Sequence, residues 1–298
     1  MSQPRSTNRY LEDNPHLLDH DLRSYDFIRE VMRYTRHLLR FHDFRIDGFD
    51  RVPDGPCLVV ANHSAAAIQE TLMVMHSWHE RFGDRPARGL AHRAVFAFPF
   101  RHIPLVPKLG GIFAHPAVAK RYLAEGCAVL VFPGGEMEVA RPFRDRHLVT
   151  LGSRSGFVRI AREANVPIVP LVLCGSHASY VVVPGAARFA RWLRMHRLLG
   201  VKAVPMTVGG LALAVALANP LLWPVWPLAA LQAVLPYPSQ VKAEVLDPVY
   251  VGDGESDEEV ADRVRQRMQE TMNRLAGERS PNLLERISER LRGRRREA

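Results

Sequence analysis

His63 follows the apolar run Cys57-Leu58-Val59-Val60-Ala61 and Asn62, and a carboxylate, Glu70, comes seven positions later. A histidine delivered by a buried strand and backed by an acid has the makings of a general base. The imidazole takes a proton from a weak nucleophile such as an alcohol, and the carboxylate fixes the tautomer and stabilises the imidazolium. On one continuous helix, positions 63 and 70 would lie about 10 Å apart. The pair therefore requires a loop over 64–68, with a helix starting near Gln69. Ala65, Ala66 and Ala67 permit such a compact loop. The competing reading of His63 is a structural or merely exposed histidine.

A second feature is Phe132-Pro133-Gly134-Gly135-Glu136-Met137-Glu138. Pro-Gly-Gly after a strand makes a tight turn whose backbone N–H groups could hold an oxyanion or a phosphate. A plain turn is the alternative. Arg141, Arg144, Arg146 and Arg154 follow, suited to an anionic substrate or to a solvated basic face. Cys57, Cys127 and Cys174 are too few and scattered for a disulfide framework or a zinc site. Each sits in an apolar stretch, so they read as buried free thiols on a reducing, cytosolic side. No metal or tightly bound cofactor is implied. The N-terminal residues lack the apolar segment of a secretory signal.

The elements that must position these residues read as an α/β pattern. Buried-strand candidates are 57–61, 128–132 and 168–174, with helices over 69–81, 117–125 and 155–164. Such alternation predicts a central, largely parallel sheet flanked by helices, with ligands at the C-terminal ends of its strands. Those ends carry Asn62-His63, Pro133-Gly134-Gly135 and Gly175-Ser176-His177. Residues 1–20 read as polar and irregular. Over 22–41, apolar positions at helical spacing are interleaved with five arginines, which predicts an amphipathic helix for a membrane interface or for ordinary packing.

The uncharged stretch 203–241 predicts an apolar helical hairpin. Its 206–218 helix would reach about 20 Å, short of a roughly 30 Å hydrocarbon core. Pro220, Pro224 and Pro227 interrupt the run, and Val241, Ala243 and Val245 then alternate as in a strand. A shallow re-entrant hairpin or an apolar lid is favoured over a buried hairpin. Val260, Val264, Met268, Met272 and Leu275 make the core stripe of a helix over 257–275. The expected division is 1–43 (polar N-terminus and amphipathic helix), 44–279 (one domain with the apolar insertion 203–236) and 280–298 (a basic tail). That tail reads as an interfacial helix or as a frayed, solvated end.

Four blocks resemble the phospholipid/glycerol acyltransferase superfamily, from about residue 44 to about residue 251. Val59-Val60-Ala61-Asn62-His63 through Glu70 is similar to the Asn-His-acid block, and Leu109-Gly110-Gly111-Ile112 sits where the acceptor-binding block falls. Residues 128–142, with Pro-Gly-Gly and Glu138, resemble the third block, and 165–170 the fourth. In the third block, Pro-Gly-Gly-x-x-Glu stands where lysophosphatidate acyltransferases have Phe-Pro-Glu-Gly-Thr-Arg. The likeness is to the branch with monoacylglycerol and diacylglycerol acyltransferases. The usual spacing of four residues between His and Asp would fall on Ile68, so Glu70 is an atypical acid.

The residues and the resemblance together nominate His63 and Glu70 as catalytic. Asn62, Gly110, Gly111, Pro133, Gly134, Gly135, Glu138, Arg141 and Arg154 are nominated as substrate-binding. The implied activity is O-acyl transfer from acyl-CoA or acyl carrier protein to a glycerolipid or lysophospholipid hydroxyl. The alternative is a non-catalytic lipid-binding protein of the same fold. The implied partners are membrane lipids and the acyl carrier, and the implied place is the cytoplasmic side of the cell membrane, peripheral or monotopic. The net charge of +9 suits an anionic surface. The arginines are dispersed with no nucleic-acid module, so no nucleic acid is expected. Oligomeric state is not legible.

Overall fold

The computed structural model describes residues 7–19, 21–65, 67–96, 104–152, 155–185, 188, 202–203, 205–219 and 236–296. Seven strands form one sheet: β1 (Arg45–Asp47), β2 (Cys57–Ala61), β3 (Ala87–Ala91), β4 (Gly111–Phe113), β5 (Ala128–Val131), β6 (Ile168–Cys174) and β7 (Lys242–Val245). Their spatial order is β1-β7-β6-β2-β5-β3-β4. Every pair is parallel except β6 with β7. β2 lies at the centre, with Val59 in register with Leu130 on one side and Val169 on the other. The expected largely parallel sheet is observed.

Ten helices surround the sheet among the described residues: α1 (Thr7–Asp13), α2 (Tyr25–Phe41), α3 (Ala67–Phe82), α4 (Leu105–Lys108), α5 (Pro116–Ala124), α6 (Gly135–Val139), α7 (Gly156–Ala164), α8 (Val208–Ala218), α9 (Asp257–Glu278) and α10 (Leu283–Arg296). Side chains alternate along each strand, so the sheet has two apolar faces. Leu58, Val60, Val129 and Ile168 pack against α5, α7 and the expected stripe of α9. Val59, Ala61, Ala128 and Leu171 pack against Val74 and Trp78 of α3. α2 docks on α3 in turn, through Ile28 and a Thr35–His76 side-chain hydrogen bond of 2.6 Å. The inner face of α2 is therefore engaged in protein packing.

The structure adds to these expectations in three places. Within the N-terminal stretch expected to be irregular, Thr7–Asp13 and Pro15–Leu18 are helical: Leu11 of α1 and Leu17 are buried in the core, and the Tyr10 ring lies 5.6 Å from Phe113. Three apolar side chains in eight residues suffice to dock a short helix that polar composition hides. β3 and β4 went unread because Ala-Arg-Gly-Leu-Ala and Gly-Ile-Phe offer few β-branched residues. Of the two readings of the tail, the helix is observed over 283–296 rather than a frayed end. α10 is latched by Glu285, which is buried and paired with Arg146 at 3.0 Å and with Arg279.

α8 carries the described part of the apolar insertion, and 220–235 lie outside the described residues. Thr207 caps α8 at Gly210 N, 3.0 Å away. The helix leaves from a short pairing of Val182 with Thr207. It exposes Val208, Leu211, Val215 and Leu217. Among the described residues, no helix is long and apolar enough to cross a membrane.

Candidate active site

β2 ends at Ala61, and Asn62 terminates it actively. The buried Asn62 amide donates to Leu173 O (3.0 Å) and accepts from Leu173 N (2.8 Å), so the side chain replaces a strand pairing. The chain is thereby released from the sheet at His63. Asn62 is wholly buried and has both polar atoms engaged. Its expected substrate contact gives way to a structural role.

His63 Nδ1 hydrogen-bonds Glu70 Oε1. α3 begins at Ala67, two residues earlier than expected, which puts Glu70 in its first turn. The chain turns back between His63 and the start of α3, beginning at Ser64. Position 68, where the usual spacing would place the acid, lies about 200° around the helix from position 70. Ile68 accordingly faces outward, 76% exposed, while Glu70 is fully buried against His63. The shift in spacing thus follows from where the helix starts.

Ser64, which sequence reasoning passed over, completes the carboxylate's shell. Its N–H donates to Glu70 Oε1 (3.0 Å) and its hydroxyl to Oε2 (2.6 Å). Burial opposes ionisation of Glu70, but the His63 ring and the Ser64 hydrogen bonds hold its pKa below the usual carboxylate value. Glu70 is an anion at neutral pH, and its bond places a ring proton of His63 on Nδ1. Nε2 is left to face a reactant. Phe132 stacks on the imidazole at 4.2 Å and limits its rotation.

The Pro-Gly-Gly turn lies beside this pair. Glu138 reaches back from α6, accepting from His63 N (2.9 Å) and Thr150 N (3.2 Å) and contacting Arg141 Nη1 at 3.2 Å. A Cβ on Gly134 would overlap the Glu138 carboxylate, so this position requires glycine. Gly135 has a φ of +51°, and Pro133 O packs against Gly152. Glu138 and Arg141 are both buried. Where a substrate contact was expected, Glu138 braces the main chain of His63 and Arg141 serves as the counter-ion of Glu138. Arg154 lies outside the described residues.

Gly110 and Gly111 sit elsewhere. Gly110 adopts a φ of +90° and accepts from Gly89 N at 3.1 Å. Gly111 opens β4, where a Cβ would strike Val106, and it lines a cavity. That cavity, about 300 Å³, runs from His63 between α3 and the sheet. Ile68, Leu72, Met75 and Trp78 form one wall. Ala87, Gly89 and Ala91 of β3 form the floor, where their small side chains leave the space open. The lining is overwhelmingly apolar, and from Ile68 to Trp78 it extends about 15 Å along α3. It suits an alkyl chain better than a charged headgroup.

His177 was read only as part of a strand end. It is buried, accepts from Ala65 N through Nδ1 (3.1 Å) and donates through Nε2 to Arg141 O (3.0 Å). Burial, reinforced by the Arg141 charge, pushes its pKa down to about 3. Burial and the neighbouring Arg146 and Arg279 take His147 to about 4. The unfolded chain protonates both near the ordinary value of about 6.5, whereas the native chain resists until pH 4 and 3. The unfolded state therefore binds more protons across this window, and stability falls as pH drops below about 6.5. Urea midpoints measured from pH 7 to 4 are expected to decline at up to ~1.4 kcal/mol per pH unit for each histidine. The slope should flatten in His177→Asn.

Among the described residues, no group of three or more His, Cys, Asp or Glu side chains is placed to hold a metal ion. The three cysteines are buried free thiols, as expected, and burial pushes Cys57 and Cys174 up to about 11.

Residues 43–174, which span the His63–Glu70 pair, the cavity floor and the Pro-Gly-Gly turn, match the model of the family described as Acyltransferase. An uncharacterized protein of Mycobacterium tuberculosis (strain H37Rv) is 31% identical over 262 residues, 83% of this chain and 67% of that protein. The chain belongs to the acyltransferase family. The Bos taurus "DGAT1/2-independent enzyme synthesizing storage lipids" is 25% identical to this acyltransferase over 158 residues, 53% of this chain and 46% of that one. The acyltransferase thus spans less than half the length of that relative. Its fold is shared with the 1-acyl-sn-glycerophosphate acyltransferase of Thermotoga maritima. The TM-score is 0.51 at 18% identity, covering 83% of this chain and 79% of the other.

Proposed function

We propose that this acyltransferase moves a fatty acyl group from acyl-CoA or acyl carrier protein to a hydroxyl of a glycerolipid or lysophospholipid at a membrane surface, with His63 as general base. One observation carries the reading: a His63–Glu70 pair, with Nε2 free to face a reactant, stands at the mouth of an apolar cavity of acyl-chain dimensions. The donor's acyl chain occupies the cavity, which brings its thioester carbonyl beside His63. Nε2 takes the acceptor's hydroxyl proton as the oxygen attacks that carbonyl. Within the 133–135 turn the donor left to meet the negative charge on the tetrahedral oxygen is Gly134 N, since Pro133 has no N–H and Gly135 N bonds Phe132 O. Collapse breaks the C–S bond, and the imidazolium returns its proton to the departing thiolate. Glu70 steadies the imidazolium throughout.

Ile68, an exposed apolar side chain, lines the cavity, and α8 starts at the residue after Thr207, whose pairing partner Val182 lies two residues beyond Tyr180, itself bonded to Gln69. These residues and the net charge of +9 support peripheral or monotopic docking on the cytoplasmic face of an anionic membrane. An acceptor that lives in the bilayer then reaches His63 without crossing water. The names of the relatives support a glycerolipid acceptor.

The test is transfer of labelled acyl groups from each donor type to a panel of lysolipids and acylglycerols, with product identification and His63→Ala as control. Transfer by the control at the unmodified rate would overturn the reading. The cavity makes a separate prediction. A Cβ on Gly89 meets nothing within 4 Å and Gly89 lines the cavity, so Gly89→Leu is expected to occupy part of that space. Long acyl donors are expected to lose about ten-fold or more in kcat/KM, at ~0.8 kcal/mol for each methylene no longer buried. Short donors should be spared, and a chain-length profile checks this.

A further inference from the structure

The step from His63 to Glu70 closes only because the chain turns back before α3, and a reversed chain leaves backbone donors that helix geometry would have satisfied. Ser64 N finds Glu70, and Ala65 N finds His177 Nδ1 at 3.1 Å. At the far end of the same segment, Gln69 Nε2 donates to the Tyr180 hydroxyl at 3.0 Å. Both anchors come from the six residues that follow β6.

That stretch is itself pinned. Gly175 has a φ of +99°, and a Cβ there would overlap Gln240 O. Its carbonyl accepts from Ser239 Oγ (2.8 Å). Ser179 O accepts from Tyr237 N (2.8 Å), and Ala178 O from Asn282 Nδ2 (3.1 Å). His177 is 2% exposed, and its Nε2 is occupied by Arg141 O, so it offers no atom to a substrate.

We propose that His177 is a positioning residue which, together with Tyr180, clamps the 64–69 segment so that the atypically spaced His63 and Glu70 meet. It acts through the main chain of Ala65, and only as the neutral tautomer with its proton on Nε2. Burial and the Arg141 charge keep it in that form.

The inference rests on His63 being the base, and the experiment separates the two. The variants are His177→Ala, His177→Asn and Tyr180→Phe. The readouts are kcat and KM for acyl transfer, thermal unfolding, and the far-downfield proton signal of His63 Nδ1–H in histidine-labelled protein. His177→Ala is expected to lower kcat by up to about 10²-fold, as for a misplaced catalytic group, with little change in KM. The His63 signal should broaden or vanish. His177→Asn, whose side-chain oxygen can accept from Ala65 N, should recover part of both. Tyr180→Phe, lacking one hydroxyl, should lower kcat less.

A folded His177→Ala protein with normal kcat and an intact His63 signal overturns the clamp. If that variant does not fold, unchanged kcat and signal in both His177→Asn and Tyr180→Phe overturn it equally. Should His63→Ala retain full activity, the base assignment fails, while loss of the Nδ1 signal in His177→Ala still supports the clamp.

Discussion

Exchange of His63 for alanine is expected to lower kcat by about 10²–10⁴-fold, the usual contribution of a positioned general base. KM should change little, because the apolar cavity that holds the acyl chain remains. Glu70→Gln is the sharper experiment. The amide keeps the size of the carboxylate but loses the charge that stabilises an imidazolium. It also presents either a donor or an acceptor to Nδ1, so the tautomer is no longer set. A loss of similar order is expected, again in kcat. Ser64→Ala removes only the hydroxyl donor at 2.6 Å and should cost far less, since Ser64 N still holds the carboxylate. Single-turnover kinetics on the three variants, with folding checked by circular dichroism, test this ranking. Equal losses from Ser64→Ala and Glu70→Gln would contradict it.

Glu138→Ala is expected to be the most destabilising single change near the site. It strands the buried Arg141 guanidinium without its counter-ion and leaves His63 N and Thr150 N without an acceptor. Breaking a buried pair by removing one partner costs roughly 3–5 kcal/mol. For a chain of this size that lowers Tm by on the order of 10 °C. A substrate-binding Glu138, as its place in the third block implied, would instead raise KM and leave Tm unchanged. Thermal unfolding beside KM decides between the two. Glu138→Gln keeps an acceptor for one N–H and should fall between wild type and Glu138→Ala.

Much of this architecture was readable locally. The runs 57–61, 128–131 and 168–174 announce buried strands by apolar composition alone. The stripe Val260, Val264, Met268, Met272 and Leu275 is buried as its spacing requires. β3 was not legible, because its job is to be small: Ala87, Gly89 and Ala91 make room for a ligand rather than fill a core. α1 was misread, and the docking of α10 was not legible, because each depends on a buried group, Leu11 or Glu285, that meets partners distant in the chain.

The site divides in the same way. From the chain alone came the chemistry: a histidine at a strand end, an acid within reach of a loop, a glycine turn and a family pattern of blocks. What only the tertiary structure decided is which polar group serves which partner. Asn62 turns to Leu173, Glu138 to the backbone of His63, and His177 to Ala65, across 111, 75 and 112 residues respectively. A buried donor or acceptor must find a partner wherever the fold brings one. Local patterning specifies that a residue is polar and available. The packing of the sheet determines whether it contacts substrate or holds the residue that does.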